Sequence, residues 1–363
     1  MATVSGLSSE NRPPLKQVFV RACCQTAYHT GLLGLATRIK EPFTGASGAR
    51  PFQILVYHRV GKNVGPFTPG VPVAAFERQM RYVSTHFRVL SLTDLVNAAQ
   101  QGAVPSRAIA ITFDDGYEEM YTHVAPILRR YQVPITVYLA TSFMHEGQPM
   151  WNDRLGIAIR DTERSMIEGL PQAGPLPLKT GSERLRALHQ ALDVLKRREP
   201  SERDELTAGI IRALGVRTDG GPRMLRWQQV EDLATQGIEF GAHTVHHPIL
   251  TAIPTGTAER EIVESKSEIE NRLQKAVHHF AYPNGTKRDF NDTIKALVKK
   301  AGYSSAVSMI FGTNTFATDR YAWRRGGSWE EATALFAAKL WWYRSTAIDR
   351  AEASQPFQVE ENN

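Results

Sequence analysis

The sequence predicts an α/β protein built on a parallel sheet, and three observations carry that reading. Apolar runs of strand length alternate with segments whose apolar residues recur at helical spacing, the pattern of repeated βα units. One run, Ile109-Ala110-Ile111-Thr112-Phe113, is almost continuously apolar and stops abruptly on Asp114, Asp115 and Gly116. Barrels and open α/β enzymes keep their chemistry at the carboxyl ends of such buried strands. Third, 363 residues with 42% hydrophobic content can fill one large α/β domain or two small ones. A single barrel with additions is the simplest fit.

Taken in order, Phe52 to His58 reads as a buried strand ending on a histidine, and residues 59–74 as a Gly/Pro-rich loop. Ala75–His86 is a helix, Phe87–Leu90 a short strand, and Leu92–Gln101 a helix capped by Ser91 or Thr93. After the Asp-Asp strand come a helix over Tyr121–Tyr131 and a buried strand over Ile135–Leu139. From about His145 to Arg226 charged residues dominate. Helical segments near Asp153–Ile167, Glu183–Arg198 and Glu202–Leu214 are separated by Gly/Pro breaks, and no strand is expected. This is an insertion over one face of the barrel, either a solvated helical cap or a lid that shapes the substrate. Trp151 and Asp153 at its start are candidates for lining the cleft. Helices over Leu225–Gln236, Ala258–Leu273 and Asp289–Ala301 then alternate with strands at His279–Gly285 and Tyr303–Ser308, and a last helix spans about Glu330–Tyr343. The expected organisation is an extension over residues 1–50, a barrel over 51–345 with the insertion at about 146–226, and a polar tail over 346–363.

The net charge of +6 suggests attraction to anionic surfaces or glycans. No basic run is interleaved with aromatics, so the charge does not argue for nucleic acid. The two cysteines, Cys23 and Cys24, are sequence neighbours. They cannot form an ordinary disulfide, which is compatible with the cytoplasm. Residues 1–14 are polar and lack the basic start and apolar run of a secretory signal. The expected location is therefore cytoplasmic, with the option of peripheral contact at the inner membrane.

That option rests on Leu15–Lys40, where apolar residues recur at helical spacing. The uncharged interval Ala22–Thr37 is 16 residues long and contains Gln25, Thr26, His29 and Thr30, too short and too polar to span a bilayer. Residues 1–50 carry six basic against two acidic groups. The segment reads equally as an amphipathic helix on an anionic membrane face or as a helix packed on the barrel.

Adjacent side chains on a strand point to opposite faces. Asp114 and Asp115 can therefore share a site only if the chain is already turning, and Gly116 permits the turn. Far downstream, Phe240-Gly241-Ala242-His243-Thr244-Val245-His246-His247-Pro248 places two histidines four apart, so one helical or helix-like turn would set both imidazoles on one side. Paired histidines with one carboxylate make a three-ligand site with room for water, the arrangement of a catalytic zinc.

Together these motifs resemble the polysaccharide deacetylases, the NodB-type carbohydrate esterases, whose first two motifs read Thr-Phe-Asp-Asp-Gly and His-Ser/Thr-x-x-His. The resemblance covers roughly Pro51 to Trp329. It implies a distorted (β/α)7 barrel, a divalent metal ion, most simply zinc, held by Asp115, His243 and His247, and Asp114 as general base. His246 is the alternative ligand. A third family motif, usually Arg-x-x-Pro-Tyr, here reads Phe280-Ala281-Tyr282-Pro283-Asn284-Gly285, similar to the exopolysaccharide and poly-N-acetylglucosamine branch. The resemblance makes the Asn284 N–H an oxyanion donor, with Tyr282 beside it at the substrate groove. In the wider family the missing arginine braces the catalytic aspartate, and Arg324 or Arg325 is the candidate replacement. Trp323 and Trp329 are candidates for covering the acetyl methyl or for the core.

The wider family also takes its general acid from a histidine on a late strand. This chain has no histidine after His279. In a closed barrel a first strand can occupy the same place in the ring, so His58 is the expected acid, as in permuted poly-N-acetylglucosamine deacetylases. The expected activity is removal of N-acetyl groups from N-acetylhexosamine units of a bacterial surface polysaccharide or its lipid-linked precursor. A deformylase or O-acyl esterase on a glycan, and a non-catalytic carbohydrate binder, are the alternatives. An intact pair of motifs weighs against the last, since a binder needs no base.

Overall fold

The computed structural model describes residues 15–32, 35, 50–145, 147–327 and 330–345. The apolar runs form β1 (Gln53–Tyr57), β2 (Arg88–Val89), β3 (Ala108–Phe113), β4 (Thr136–Leu139), β5 (Glu239–Ala242), β6 (His279–Ala281), β7 (Ser305–Val307) and β8 (Gly326–Gly327). Their spatial order is β7-β6-β5-β4-β3-β1-β8, with β2 on the start of β3. Every pair in this sheet is parallel. The seam is irregular. Trp323 bridges in parallel to Val307, and Gly326 pairs with Leu55, so residues 323–327 run between the last full strand and the first. The result is the distorted (β/α)7 barrel.

Strand alternation separates two sets of buried side chains. Leu55, Tyr57, Ile111, Phe113, Val137 and Leu139 join the apolar layer beneath the helices. Ile54, Ala110, Tyr138, Ala281, Val307 and Trp323 form a second cluster, and Thr112 and Asp114 continue its parity toward the carboxyl end. Gly241 shows how crowded that interior is, because a Cβ there would meet the Tyr138 ring at 2.6 Å and the His279 carbonyl oxygen at 2.7 Å.

Amphipathic helices cover the sheet. Val73–His86 buries Phe76, Met80 and Val83, spaced by four and three. Leu92–Gln100 is capped by Ser91, whose hydroxyl accepts from the Asp94 N–H, so Ser91 and not Thr93 is the cap. Within the expected loop 59–74, Val60–Gly61 pairs with Val71–Pro72.

The insertion is more structured than its composition suggests. Its helices are Trp151–Asp161, Gly181–Leu195 and Pro200–Leu214, and Leu155, Ile159, Leu178, Leu188, Leu195 and Leu214 give it a core of its own. It also contains a two-residue antiparallel ladder, Met166–Ile167 with Leu176–Pro177, where no strand was expected. That ladder takes the end of the helix predicted over Asp153–Ile167, which stops at Asp161.

The helix Leu15–His29 packs against the helix Thr333–Ser345, and Tyr28 meets Tyr82 at 5.9 Å between ring centres. No helix among the described residues is long and apolar enough to cross a membrane. Most of the expected amphipathic stretch after Leu32, and the polar tail 346–363, lie outside the described residues.

Candidate active site

The carboxyl ends of β1, β3, β5 and β6 meet at one mouth. The Asp114 N–H donates to the Tyr57 carbonyl at 2.9 Å, extending the β1–β3 ladder by one residue. The chain then turns through Asp115 (φ 72°) and Gly116 (φ 86°). This left-handed turn is what lets neighbouring aspartates face one cavity, and aspartate tolerates it better than most side chains. A Cβ on Gly116 would sit 2.7 Å from Leu139 Cδ2, so the position is closed to other residues on both counts.

Asp114 is 2% exposed. Arg325, 1% exposed, donates to both of its oxygens at 2.7 Å. The same guanidinium donates to the Ser308 carbonyl at 2.9 Å and the Thr112 hydroxyl at 3.1 Å. Burial alone would raise the Asp114 carboxyl; the charge and hydrogen bonds of Arg325, with His243 and His58 nearby, override it and hold the group ionised well below the usual carboxylate range. His58 Nε2 lies 3.8 Å from Asp114 Oδ2, and the side chain is 35% exposed. Burial lowers the His58 pKa, with Asp114 pulling the other way.

Asp115, His243 and His247 converge. Asp115 Oδ1 lies 3.5 Å from His243 Nε2 and 3.4 Å from His247 Nε2, and the two Nε2 atoms are 3.1 Å apart. His243 Nδ1 lies 2.7 Å from the Ala281 carbonyl. A carbonyl only accepts, so Nδ1 carries the proton and Nε2 turns a lone pair inward. Burial drives His243 down to about 4 and, with His243 beside it, His247 well below the ordinary value; both are neutral, as ligands must be. Asp115 moves the other way. Burial, then Asp114 and Asp153, push it well above the usual value, and its Oδ1 is buried without a hydrogen-bond partner. Two neutral imidazoles and a carboxylate oxygen without a hydrogen-bond partner are a donor set that fits a divalent cation, and among the described residues these three could hold a metal ion. Two nitrogens and one oxygen suit zinc.

The histidines are not joined by a helical turn, as their spacing suggested. Thr244 (φ 68°) and His247 (φ 57°) are both left-handed, and the Thr244 hydroxyl accepts from the His247 N–H at 3.0 Å. His246 points away from the cluster, its Nδ1 lying 2.7 Å from Glu261 Oε1.

The arginine on Asp114 is Arg325. Arg324, the alternative, alternates to the other side, where its backbone pairs with the Asn314 side chain. Tyr282 also faces away: its ring stacks on Phe290 at 4.3 Å, and its hydroxyl donates to the Tyr321 carbonyl at 2.8 Å. Asn284 stands exposed in the turn after β6 with φ 58°, its side chain tied to Asp289. Trp323 packs edge-on against Phe52, 5.0 Å between centres, in the interior cluster rather than over the site. Trp329 lies outside the described residues. Asp153 and Trp151, the cleft candidates, sit beneath the surface. Asp153 is buried and accepts from the Tyr117 hydroxyl at 2.8 Å, with burial raising it to about 6, and Trp151 is buried beneath Arg203.

A buried carboxylate held by arginine lies next to an Asp-His-His cluster that could hold a metal ion, at the carboxyl mouth of a parallel barrel. The polysaccharide deacetylase profile matches residues 101–306, more than half of the chain, and the chain belongs to that family. Asp114, Asp115, His243 and His247 fall inside the matched stretch; His58 and Arg325 fall outside it. A poly-β-1,6-N-acetyl-D-glucosamine N-deacetylase of Staphylococcus aureus is 31% identical over 101 residues, 28% of this chain and 34% of the relative. The match thus spans about a third of that protein's length. Among solved structures, a Streptococcus pyogenes deacetylase in complex with acetate superposes with a TM-score of 0.52 at 18% identity, covering 77% of this chain and 92% of its own. IcaB from Ammonifex degensii gives 0.52 at 16% identity, covering 79% and 97%. At these identities the superpositions show the shared fold.

Proposed function

We propose that this protein is a metal-dependent N-deacetylase acting on N-acetylhexosamine units of a bacterial glycan, either finished polysaccharide or its lipid-linked precursor. The curated relatives make poly-β-1,6-N-acetylglucosamine the first substrate to test. The observation that carries the reading is the pairing of two unlike carboxylates. Asp114 is locked ionised by Arg325, whereas its neighbour Asp115 has a buried oxygen with no hydrogen-bond partner and faces two neutral imidazoles.

Asp115, His243 and His247 would hold the ion. Bound there, a divalent ion polarises the acyl carbonyl and acidifies water. The protein's own groups supply the proton transfers. Each Asp114 oxygen accepts one bond from Arg325 and retains further acceptor capacity, so the carboxylate can take a proton from water while the guanidinium keeps it aimed. The water oxygen bonds to the acyl carbon, and Asp114 passes the proton it took from water to His58, which burial keeps neutral beforehand. The carbon–nitrogen bond breaks as the amine nitrogen takes that proton from His58. Products are the amine and acetic acid, which in neutral solution become ammonium and acetate. The two groups stand 3.8 Å apart, and catalytic contacts of this length tighten when substrate binds.

The test is acetate release from N-acetylated β-1,6-glucosamine oligomers, before and after chelation and after zinc is returned. Release that disappears and returns with the metal supports the reading. Release only from N-formyl or O-acetyl substrates would reassign the acyl group. Glycan binding with no release from any substrate would make the protein a binder.

A further inference from the structure

The insertion reaches the histidine loop through one side chain. Arg203, on the helix Pro200–Leu214, is 1% exposed. Its Nη1 donates to the His246 carbonyl at 3.0 Å and lies 3.4 Å from the His247 carbonyl. Its Nε donates to Asp204 at 2.8 Å, and the guanidinium lies 5.0 Å from the centre of the Trp151 ring. Burying an arginine is costly unless its donors are matched. Here the carboxylate partner is 52% exposed and Nη2 has no hydrogen-bond partner. The charge is thus poorly compensated as a stabilising device, while the insertion has an apolar core of its own.

What Arg203 touches does need holding. Left-handed Thr244 and His247 each cost about 1 kcal/mol or more, and such residues persist only where surroundings over-determine them. On one side of the loop, Glu261 accepts from the N–H groups of Val245 and His246, both at 2.8 Å. On the other, Arg203 takes the carbonyls of His246 and His247. A carboxylate from a barrel helix holds the loop's donors, and a guanidinium from the insertion holds its acceptors.

We propose that Arg203 is a positioning residue through which the helical insertion fixes His247 in its metal-binding orientation, so that the insertion is part of the metal site's frame. The proposal rests on the metal-centred reading above. It carries a sign that separates it from simple electrostatics. Removing a cation near a metal site should tighten metal binding by Coulomb's law; removing a brace should loosen it.

Zinc affinity of the full chain, measured by competition with a chromophoric chelator, is the readout, with thermal melting of the metal-free protein alongside. Arg203→Met is expected to weaken zinc binding about 10–100-fold, the usual cost of losing a group that orients a ligand. Arg203→Lys, which keeps the charge but loses the fork, should fall between. Unchanged or tighter binding in Arg203→Met, whether or not melting falls, overturns the proposal. Should Arg203→Met fail to fold, Arg203→Lys decides, and an affinity equal to wild type overturns it. A wild-type chain that binds no zinc would instead refute the metal-centred reading itself.

Discussion

Replacing Arg325 with methionine tests the base and its brace together. The guanidinium makes two 2.7 Å bonds to Asp114, and neither partner reaches solvent. Removing one member of a buried ion pair costs about 3–5 kcal/mol, mostly because the other charge is stranded. Methionine keeps much of the volume, so packing loss adds little. Denaturant unfolding of Arg325→Met should therefore show an unfolding free energy lowered by that amount, read as a lower midpoint with an unchanged slope. The pH dependence follows from the direction of the Asp114 shift. In the wild type its folded pKa lies below the unfolded value of about 3.9, so the pair's contribution is complete above that value and is lost as pH falls through the folded pKa. In the variant Asp114 is unpaired and its folded pKa rises above the unfolded value, so the variant regains stability by taking up a proton. The gap between the two proteins should narrow as pH is lowered. Asp114→Asn combined with Arg325→Met should cost less than the sum of the single changes, since the double variant strands no charge. A single variant within about 1 kcal/mol of wild type, the value of an exposed pair, would refute the reasoning, as would additive costs in the double variant.

Three further outcomes are expected. His58→Ala should keep its fold and metal but lose about 10²–10⁴-fold in kcat, the range for a general acid; hydrolysis near the wild-type rate would remove His58 from the mechanism. Asp114→Asn should abolish turnover with metal content close to wild type, while Asp115→Asn and His243→Ala lose the metal. Equal metal loss in all three would mean that base and ligand have been confused. Zinc uptake between pH 5 and 6, below the range where zinc-bound water ionises, should release at most one proton, that of Asp115, because burial already holds His243 at about 4 and His247 well down; calorimetry in buffers of different ionisation heat counts it, and two or more protons would place His243 and His247 near the ordinary imidazole value.

Much of the site was legible because its signals are local. An apolar run that stops on two carboxylates can hardly be anything but a strand end, and the histidine spacing marked the second loop. What the spacing could not specify was how the two rings meet. A helical turn and a left-handed bend place residues four apart on the same side, and the sign of φ at Thr244 and His247 depends on tertiary grips from Glu261 and Arg203. Choosing between Arg324 and Arg325 was, by contrast, within reach. Trp323 is a large apolar residue on the same segment, and if it fills the interior, alternation carries Arg325 inward with it and turns Arg324 out. The same parity argument removes Tyr282 from the groove, because Ala281 before it faces the interior cluster.

The two residues missed altogether share a signal. Glu261 lies on the buried stripe of its helix with Ala258, Ile262, Ser265 and Ile269, and Arg203 on that of its own with Thr207, Ile210, Ile211 and Leu214. Both helices are so rich in charge that one more charged residue attracts no notice. Position on the helix is what distinguishes them, since a charge on an apolar stripe must be buried, and a buried charge needs a partner of matching polarity. Neither finds a buried opposite charge. Glu261 turns to backbone N–H groups and His246, Arg203 to backbone carbonyls, and both choose the loop that ends at His247. Two independent helices, one from the barrel and one from the insertion, thus spend a buried charge on adjoining peptides of the same loop, which is why the insertion is better understood as a part of the ligand frame than as a cover laid over it.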